Sequence, residues 1–464
     1  MPLPAKPALT IATLAALLAT PEVFPALKDY RIFDWSATQQ VTAFRPTAAA
    51  RPAAPEPPVA PAPAPRRASK SAKAGPVDDG PLLQDTGNEL HRFYAALYAV
   101  EKKEAGAAVR IVHYGDSPTT ADLITADVRD LFQHEFGDAG HGFALIANPW
   151  AWYGHRGLTI RGSGWKMEPG NTAELRDGRY GLGVVSFRGA AGAQSKITLK
   201  DASHSRFEVW YLAQPDGGSF TVSAGGQTLG TVDTASPAVA SQFQAFEPSG
   251  GVGGIAIRVT SGRVRLYGVR FSKDGPGVEY SSLGVNGAAI TIVSRNMDEG
   301  HWGEQLKHAK PDLVVLNYGT NESAFPSYVE AIMDKELTRA IQRIRSAVPE
   351  ASILLMSPMD RGDRLPSGEI GTVAGMARLI EIERKVARDH NVAFFNTFQA
   401  MGGAGTMGRW YTGTPRLVGA DLIHPMPAGA KLVGGLLYRA LQDGYRHRKL
   451  AMAQPNFETI KTQP

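Results

Sequence analysis

Apolar residues follow two different rhythms along this chain. Ahead of residue 157 and again after residue 276, short unbroken apolar runs alternate with stretches of helical period. Leu90 to Lys103 has helical spacing. Ala108 to Tyr114 (AVRIVHY) predicts a buried strand running into Gly115-Asp116-Ser117. Pro118 suits a first helical turn, and Thr119 to Phe136 predicts a helix with Leu123, Ala126, Val128, Leu131, Phe132 and Phe136 on its apolar face and Gly137 as its stop. Beyond Pro276, strands are expected at Val278–Val285, Asp312–Tyr318 (DLVVLNY), Ser352–Met356 and Val392–Asn396. Helices are expected at Ser327–Val348, Val373–His390 and Pro427–Tyr445. Such alternation implies a parallel sheet covered on both faces. Between about Gly157 and Asp274 the helical period disappears. Short β-branched or alternating runs replace it (Gly183–Phe187, Ser195–Leu199, Arg206–Leu212, Phe220–Ser223, Gly254–Val259, Val264–Phe271), separated by glycine-rich turns. That pattern predicts an antiparallel β-sandwich. The expected architecture is one α/β domain, residues 81–156 and 276–450, interrupted by a sandwich over 157–275.

The ends of the chain read differently. Ala8 to Thr20 is an apolar run behind Lys6. It is too short to span a bilayer comfortably, which takes about 20 residues, and its length suits the core of a secretory signal. Residues 1–20 are therefore expected to be a signal peptide or N-terminal anchor, and the protein to be exported, periplasmic or associated with the cell envelope. Residues 21–80 are expected to form a Pro/Ala-rich linker, with 8 prolines between positions 46 and 65. The linker ends in Arg66, Arg67, Lys70 and Lys73, a solvated run with weak attraction for an anionic envelope. Residues 451–464 are expected to be a tail.

Composition narrows the chemistry. The chain has 464 residues and no cysteine, so disulfides, a cysteine nucleophile and thiolate metal sites are excluded. The net charge is +5, and the first 80 residues hold 9 basic and 6 acidic groups, leaving 40 against 38 in the rest. So even a balance does not suit nucleic-acid binding.

Three polar clusters fall where a parallel sheet gathers its site, at the carboxyl ends of strands. They are Gly115-Asp116-Ser117, Gly319-Thr320-Asn321-Glu322 and Asp421-Leu422-Ile423-His424-Pro425. A serine hydroxyl needs a base within hydrogen-bond reach. His424 can be that base, with Asp421 orienting its ring and stabilising its charged form. The Ser117 N–H, a glycine N–H and the Asn321 amide can supply donors for an oxyanion.

In this order the clusters resemble the SGNH (GDSL) hydrolase superfamily. The resemblance implies a three-layer α/β/α, flavodoxin-like fold. It implies Ser117 as nucleophile, Asp421 and His424 as its partners, and an oxyanion hole of Ser117, Gly287 and Asn321. Gly287 belongs to Leu283-Gly284-Val285-Asn286-Gly287, where Gly284 is the alternative. Glu322 replaces the family's usual aspartate, a change expected to alter hydrogen bonding within its loop. The sandwich between the first two blocks, the stretch from His113 to Asp122 and Met401-Gly402-Gly403 further resemble the bacterial peptidoglycan O-acetylesterase branch. There the insertion is similar to a carbohydrate-binding module. The implied reaction is removal of O-acetyl groups from a glycan, foremost peptidoglycan, with no cofactor and no metal. An O-acetyltransferase acting on a cell-envelope polysaccharide, and a non-catalytic glycan-binding envelope protein, are the alternatives. Substrate identity and oligomeric state stay open at the level of sequence.

Other residues carry plainer readings. Ser117 alone would read as a helix cap, Asn321 as a turn residue and Gly287 as a backbone requirement. His113 reads as a sheet residue. Gly157–Ser163 (GLTIRGS) echoes a phosphate loop but lacks its lysine, and Gly137–Gly142 is no dinucleotide fingerprint because it follows a helix. Trp150, Trp152, Tyr153 and Trp165 could serve core packing or sugar stacking. Asp360, Arg361, Asp363 and Arg364 read as a solvated loop near the cleft.

Overall fold

The computed structural model describes residues 81–453 apart from Ala173, with side chains as far as Leu450. The signal-like run, the linker and most of the tail lie outside these residues. The described residues fall in one compact unit, Ala72–Pro464. Among them no helix is long and apolar enough to cross a membrane.

In chain order the strands begin with β1 (Leu83–Gln84), β2 (Ala108–Gly115), β3 (Asp138–Gly140) and β4 (Gly142–Ala144). Next come β5 (Leu158–Pro169), β6 (Val185–Leu199), β7 (Arg206–Ala213), β8 (Ser219–Ala224) and β9 (Gln227–Asp233). They continue with β10 (Ala240–Phe246), β11 (Gly254–Ser261), β12 (Arg263–Ser272), β13 (Gly277–Gly284) and β14 (Leu313–Asn317). The last are β15 (Ser352–Met356), the hairpin of β16 (Gly362–Arg364) and β17 (Ile370–Thr372), and β18 (Ala393–Phe395). Seven of these form a sheet in the order β1-β18-β15-β14-β2-β13-β3, parallel except for the edge strand β1.

The strands of this sheet are apolar on both faces because helices cover both. Val109 and Ile111 of β2, Leu313 and Val315 of β14, and Leu354 and Met356 of β15 pack with Phe93, Leu97, Val128, Phe132 and Leu437. The intervening Val112, Tyr114, Val314, Leu316, Ile353 and Leu355 pack with Trp302, Leu306, Val329, Ile341, Leu379 and Val386. The period of two sorts the side chains into two layers around the sheet, so the domain is α/β/α in three layers, as expected.

The helix expected over 119–136 is interrupted. A short helix covers Ser117–Thr120, and a second begins at Leu123. Asp122 between them takes a left-handed backbone, φ 53°. Its carboxylate accepts bonds from Arg129, Thr125 and the Arg156 N–H, which hold it in that conformation. Within the second helix Leu131, expected on the apolar face, is 37% exposed.

The second sheet is nine-stranded and antiparallel, from β4 to β12. Strand β4 precedes the expected start of the sandwich at 157. Strand β6 joins two expected strands into one of 15 residues that pairs with β12 at its first half and β11 at its second. One strand thus serves both halves of the sandwich, whose interior is built from residues such as Phe187, Ile197, Phe207, Phe220, Ile257 and Leu266. The would-be phosphate loop at 157–163 is the opening of β5.

Candidate active site

Strand register brings the site together. Gly115, the end of β2, pairs with Gly284 of β13 on one side and Asn317 of β14 on the other. Three strands therefore finish level, and the loops that follow them carry Ser117, Gly287 and Asn321. Close approach is built in with glycine. A Cβ on Gly115 would lie 2.3 Å from Thr119 Oγ1, and one on Gly284 would lie 2.4 Å from Thr120 N. Gly284 is thus committed to packing against the serine turn, where Thr120 Oγ1 also donates to its carbonyl at 2.9 Å. Gly287 instead sits in a turn closed by Ala288 N to Val285 O at 3.2 Å, with φ +67°. That conformation favours glycine.

Ser117 opens the short helix and is 8% exposed. Its Oγ lies 2.7 Å from His424 Nε2, and His424 Nδ1 lies 2.6 Å from Asp421 Oδ2. With Nδ1–H donating to the carboxylate, Nε2 is left to accept the serine proton. Asp421 and His424 are presented by a tight turn in which Gly419 N donates to His424 O at 2.8 Å. Leu422 at its centre has φ 61°, a strained value for a branched residue. The other oxygen of Asp421 accepts the Ile423 and His424 N–H groups at 3.0 and 3.1 Å. Burial pushes the Asp421 carboxyl up, but the His424 ring and these two N–H groups outweigh it and hold the pKa below the ordinary value. The side chains of His424 and Asp421 remain 43% and 48% exposed, so the site is open. A cavity of about 690 Å³ lies elsewhere, between residues 81–94 and the C-terminal helix.

Asn321 Nδ2 donates to Ala288 O at 2.7 Å, which places the amide against the Gly287 turn. An amide has a second hydrogen, so one N–H anchors the loop while the other stays available. Two buried acids tie the three blocks to each other. Asp116 Oδ2 accepts the Thr320 N–H at 3.2 Å, and Glu322 Oε1 accepts the Ile290 N–H at 2.8 Å. Glu322 thus reaches across to the segment that follows the glycine block. Desolvation, with the nearby Glu322, pushes Asp116 up to about 8, and desolvation also raises Glu322. A protonated carboxyl can sit in such a site without an unpaired charge. Sequence reading had no signal for Asp116 beyond its place beside the serine.

The remaining candidates fall apart. His113 is fully buried, its Nδ1 2.7 Å from the Tyr280 hydroxyl, and burial lowers its pKa to about 3. It is a neutral sheet residue. Asp360 is buried, accepting from Thr372 and the Met407 N–H. Arg361 donates to Thr320 O at 2.7 Å, bracing the Asn321 loop, while Asp363 and Arg364 are exposed. Tyr153 and Trp165 are core residues; Trp152 is 59% exposed.

One cluster has the ligand types of a metal centre. Asp122, His141 and His155 place ligand atoms within 4.8 Å of one another, all buried. The residues do not fit a cation. Arg129 grips both Asp122 oxygens at 3.2 and 2.7 Å. Thr125 and the Arg156 N–H add further bonds to that carboxylate. His141 Nε2 and His155 Nδ1 bond each other at 3.0 Å. The carboxylate and two of the ring nitrogens are thus engaged, and the guanidinium opposes added positive charge.

Residues 251–432 match the family model described as GDSL-like Lipase/Acylhydrolase. Among solved structures, a peptidoglycan O-acetylesterase matches over 79% of this chain and 99% of its own, at 24% identity and a TM-score of 0.68. A family two carbohydrate esterase from Clostridium thermocellum, in complex with cellohexaose, matches over 62% of this chain and 100% of its own, at 13% identity and a TM-score of 0.27. A comparison with curated proteins finds no match.

Proposed function

We propose that this chain, whose residues 251–432 match the GDSL-like Lipase/Acylhydrolase model and whose fold is like that of a peptidoglycan O-acetylesterase, is an esterase that removes O-acetyl groups from a glycan of the cell envelope, foremost peptidoglycan. The observation that carries this reading is the unbroken succession Ser117 Oγ–His424 Nε2 at 2.7 Å and His424 Nδ1–Asp421 Oδ2 at 2.6 Å. The glycan class is supported by the peptidoglycan O-acetylesterase of like fold and by the open site. A polymer needs a shallow surface, whereas a small ester is usually enclosed.

In this mechanism His424 takes the Ser117 proton as Oγ attacks the acetyl carbonyl carbon. The oxygen that gains charge is met by the N–H groups of Ser117 and Gly287 and the free hydrogen of the Asn321 amide. Collapse breaks the C–O bond to the sugar, whose oxygen receives the proton from His424. Water, deprotonated by His424, then attacks the acetyl-serine carbonyl carbon; the bond to Ser117 Oγ breaks, Oγ takes the proton back from His424, and acetate leaves. Every step uses groups of this chain. The signal-like run at residues 8–20 is part of the same proposal, since an exported enzyme meets its polymer outside the cytoplasm.

The test is acetate release from O-acetylated peptidoglycan and from acetylated xylan. The wild type is expected to release acetate from peptidoglycan and Ser117→Ala to release none above background. Equal release by both proteins would remove Ser117 as nucleophile. Release from xylan alone would overturn the substrate.

A further inference from the structure

Of the four aromatic residues at the start of the insertion, Trp152 alone stands in solvent while lying against the site. It is held there by two contacts. Its indole Nε1–H donates to Asn286 Oδ1 at 3.2 Å, one residue before Gly287. Two residues further on, Gly154 N donates to Thr120 O at 3.4 Å, at the end of the serine helix. The turn carrying Trp152 thus bridges the serine block and the glycine block.

The geometry points to Trp152 as a sugar-binding platform at the lip of the site, taking the apolar C–H face of a pyranose ring next to the acetylated one. This rests on the glycan reading given above. Three features argue for a sugar over an aliphatic acyl chain. The indole is convex and exposed, whereas an acyl chain seeks an enclosed apolar pocket. Its one polar hydrogen is spent in the ring plane on Asn286, which fixes the ring and leaves a face free. A face already held costs little entropy when a ligand lies on it. Its neighbours are amides. Asn171 Nδ2 donates to Asn286 O at 2.7 Å, so the platform is edged by Asn171 and Asn286, groups matched to hydroxyl and acetamido substituents. Two other members of the cluster, Tyr153 and Trp165, are buried and cannot share this role. The Tyr153 hydroxyl accepts from the Leu145 N–H, and Trp165 donates to Gln194 O and Ser195 Oγ in the sandwich.

Two variants test the platform. Trp152→Ala removes the face and the Asn286 bond; Trp152→Phe keeps a face and loses only the bond. For each, kcat/KM is measured on O-acetylated glycan strands released from peptidoglycan and on 4-nitrophenyl acetate. The ratio of the two is expected to fall about tenfold in Trp152→Ala, through KM for the glycan, and to be largely restored in Trp152→Phe. A tenfold loss corresponds to about 1.4 kcal/mol. Equal losses on both substrates would overturn the proposal, because Trp152 would then act by positioning the Gly287 turn. The same substitutions in a Ser117→Ala background are titrated calorimetrically with de-O-acetylated strands. Trp152→Ala is expected to weaken binding about tenfold there, and unchanged binding would also overturn it. If the strands bind through Trp152 but the wild type releases no acetate, the esterase reading fails and the platform stands. If acetate is released and neither readout moves, the platform fails alone.

Discussion

Two aspartate–histidine assemblies adjoin the serine block, one bonded to Ser117 itself and one at the turn that follows its short helix, and they have opposite fates. Asp421 and His424 are half exposed, and their chain of hydrogen bonds ends on a hydroxyl. Asp122, His155 and His141 are buried, and their chain ends on the Arg129 guanidinium and on each other. Burial raises the pKa of Asp122, but the charge of Arg129, with His155, outweighs it and holds it well below the ordinary range. Burial lowers His155 to about 4, although Asp122 pulls upward, and burial with the Arg129 charge lowers His141. Histidines so depressed stay neutral at physiological pH, and these two bond each other rather than a serine hydroxyl. Residue type is therefore no guide to role here; solvent access and the nearest charge decide it.

The widest separation between the assemblies should appear in rate. His424→Gln is expected to lower acetate release by about 10,000-fold or more while leaving the melting temperature close to wild type. His155→Gln is expected to keep kcat within a few-fold. A comparable loss of rate in both would erase the distinction. In stability the order reverses. Asp122→Asn leaves Arg129 buried without its counter-charge, and breaking such a pair costs about 3–5 kcal/mol. Chemical denaturation of Asp122→Asn beside Asp421→Asn checks this, since only the former should shift the midpoint strongly.

The smallest effect is in pH dependence. His155 has its folded pKa, about 4, below the ordinary value of 6.5. The unfolded chain therefore binds the proton first on acidification. The stability tied to neutral His155 is whole above pH 6.5 and is lost as the pH falls toward 4. His155→Gln removes that dependence, so the stability gap between wild type and variant should narrow from pH 7 to pH 4. A gap that widens on acidification would show that His155 is charged in the fold.

Much of this was legible along the chain, and the reason is local. The strand at 352–356 was placed to the residue, and those at 108–115 and 277–284 within one, because buried parallel strands are uninterrupted apolar runs. The insertion was harder. Strands β5, β9 and β10 were not anticipated, since LTIRGSGWKMEP, QTLGTVD and ASQFQAF mix glycine, charge and amide with few apolar positions. Their pairing is set by neighbours rather than by their own composition. The break at Asp122 was invisible for a like reason: nothing near it in sequence announces Arg129 and Arg156 as the groups that hold it.

From the linear chain alone came the α/β rhythm, the interrupted domain and the residue types for acyl transfer, each being a matter of periodicity or of a few adjacent letters. Only the folded molecule decided that Ser117 and His424, 307 positions apart, stand 2.7 Å from each other. It also decided that Asp116 and Glu322 clamp the loops and that, of the four aromatic residues at the start of the insertion, Trp152 faces solvent. Those outcomes depend on strand register and on burial, which are sums over distant contacts and are written at no single position.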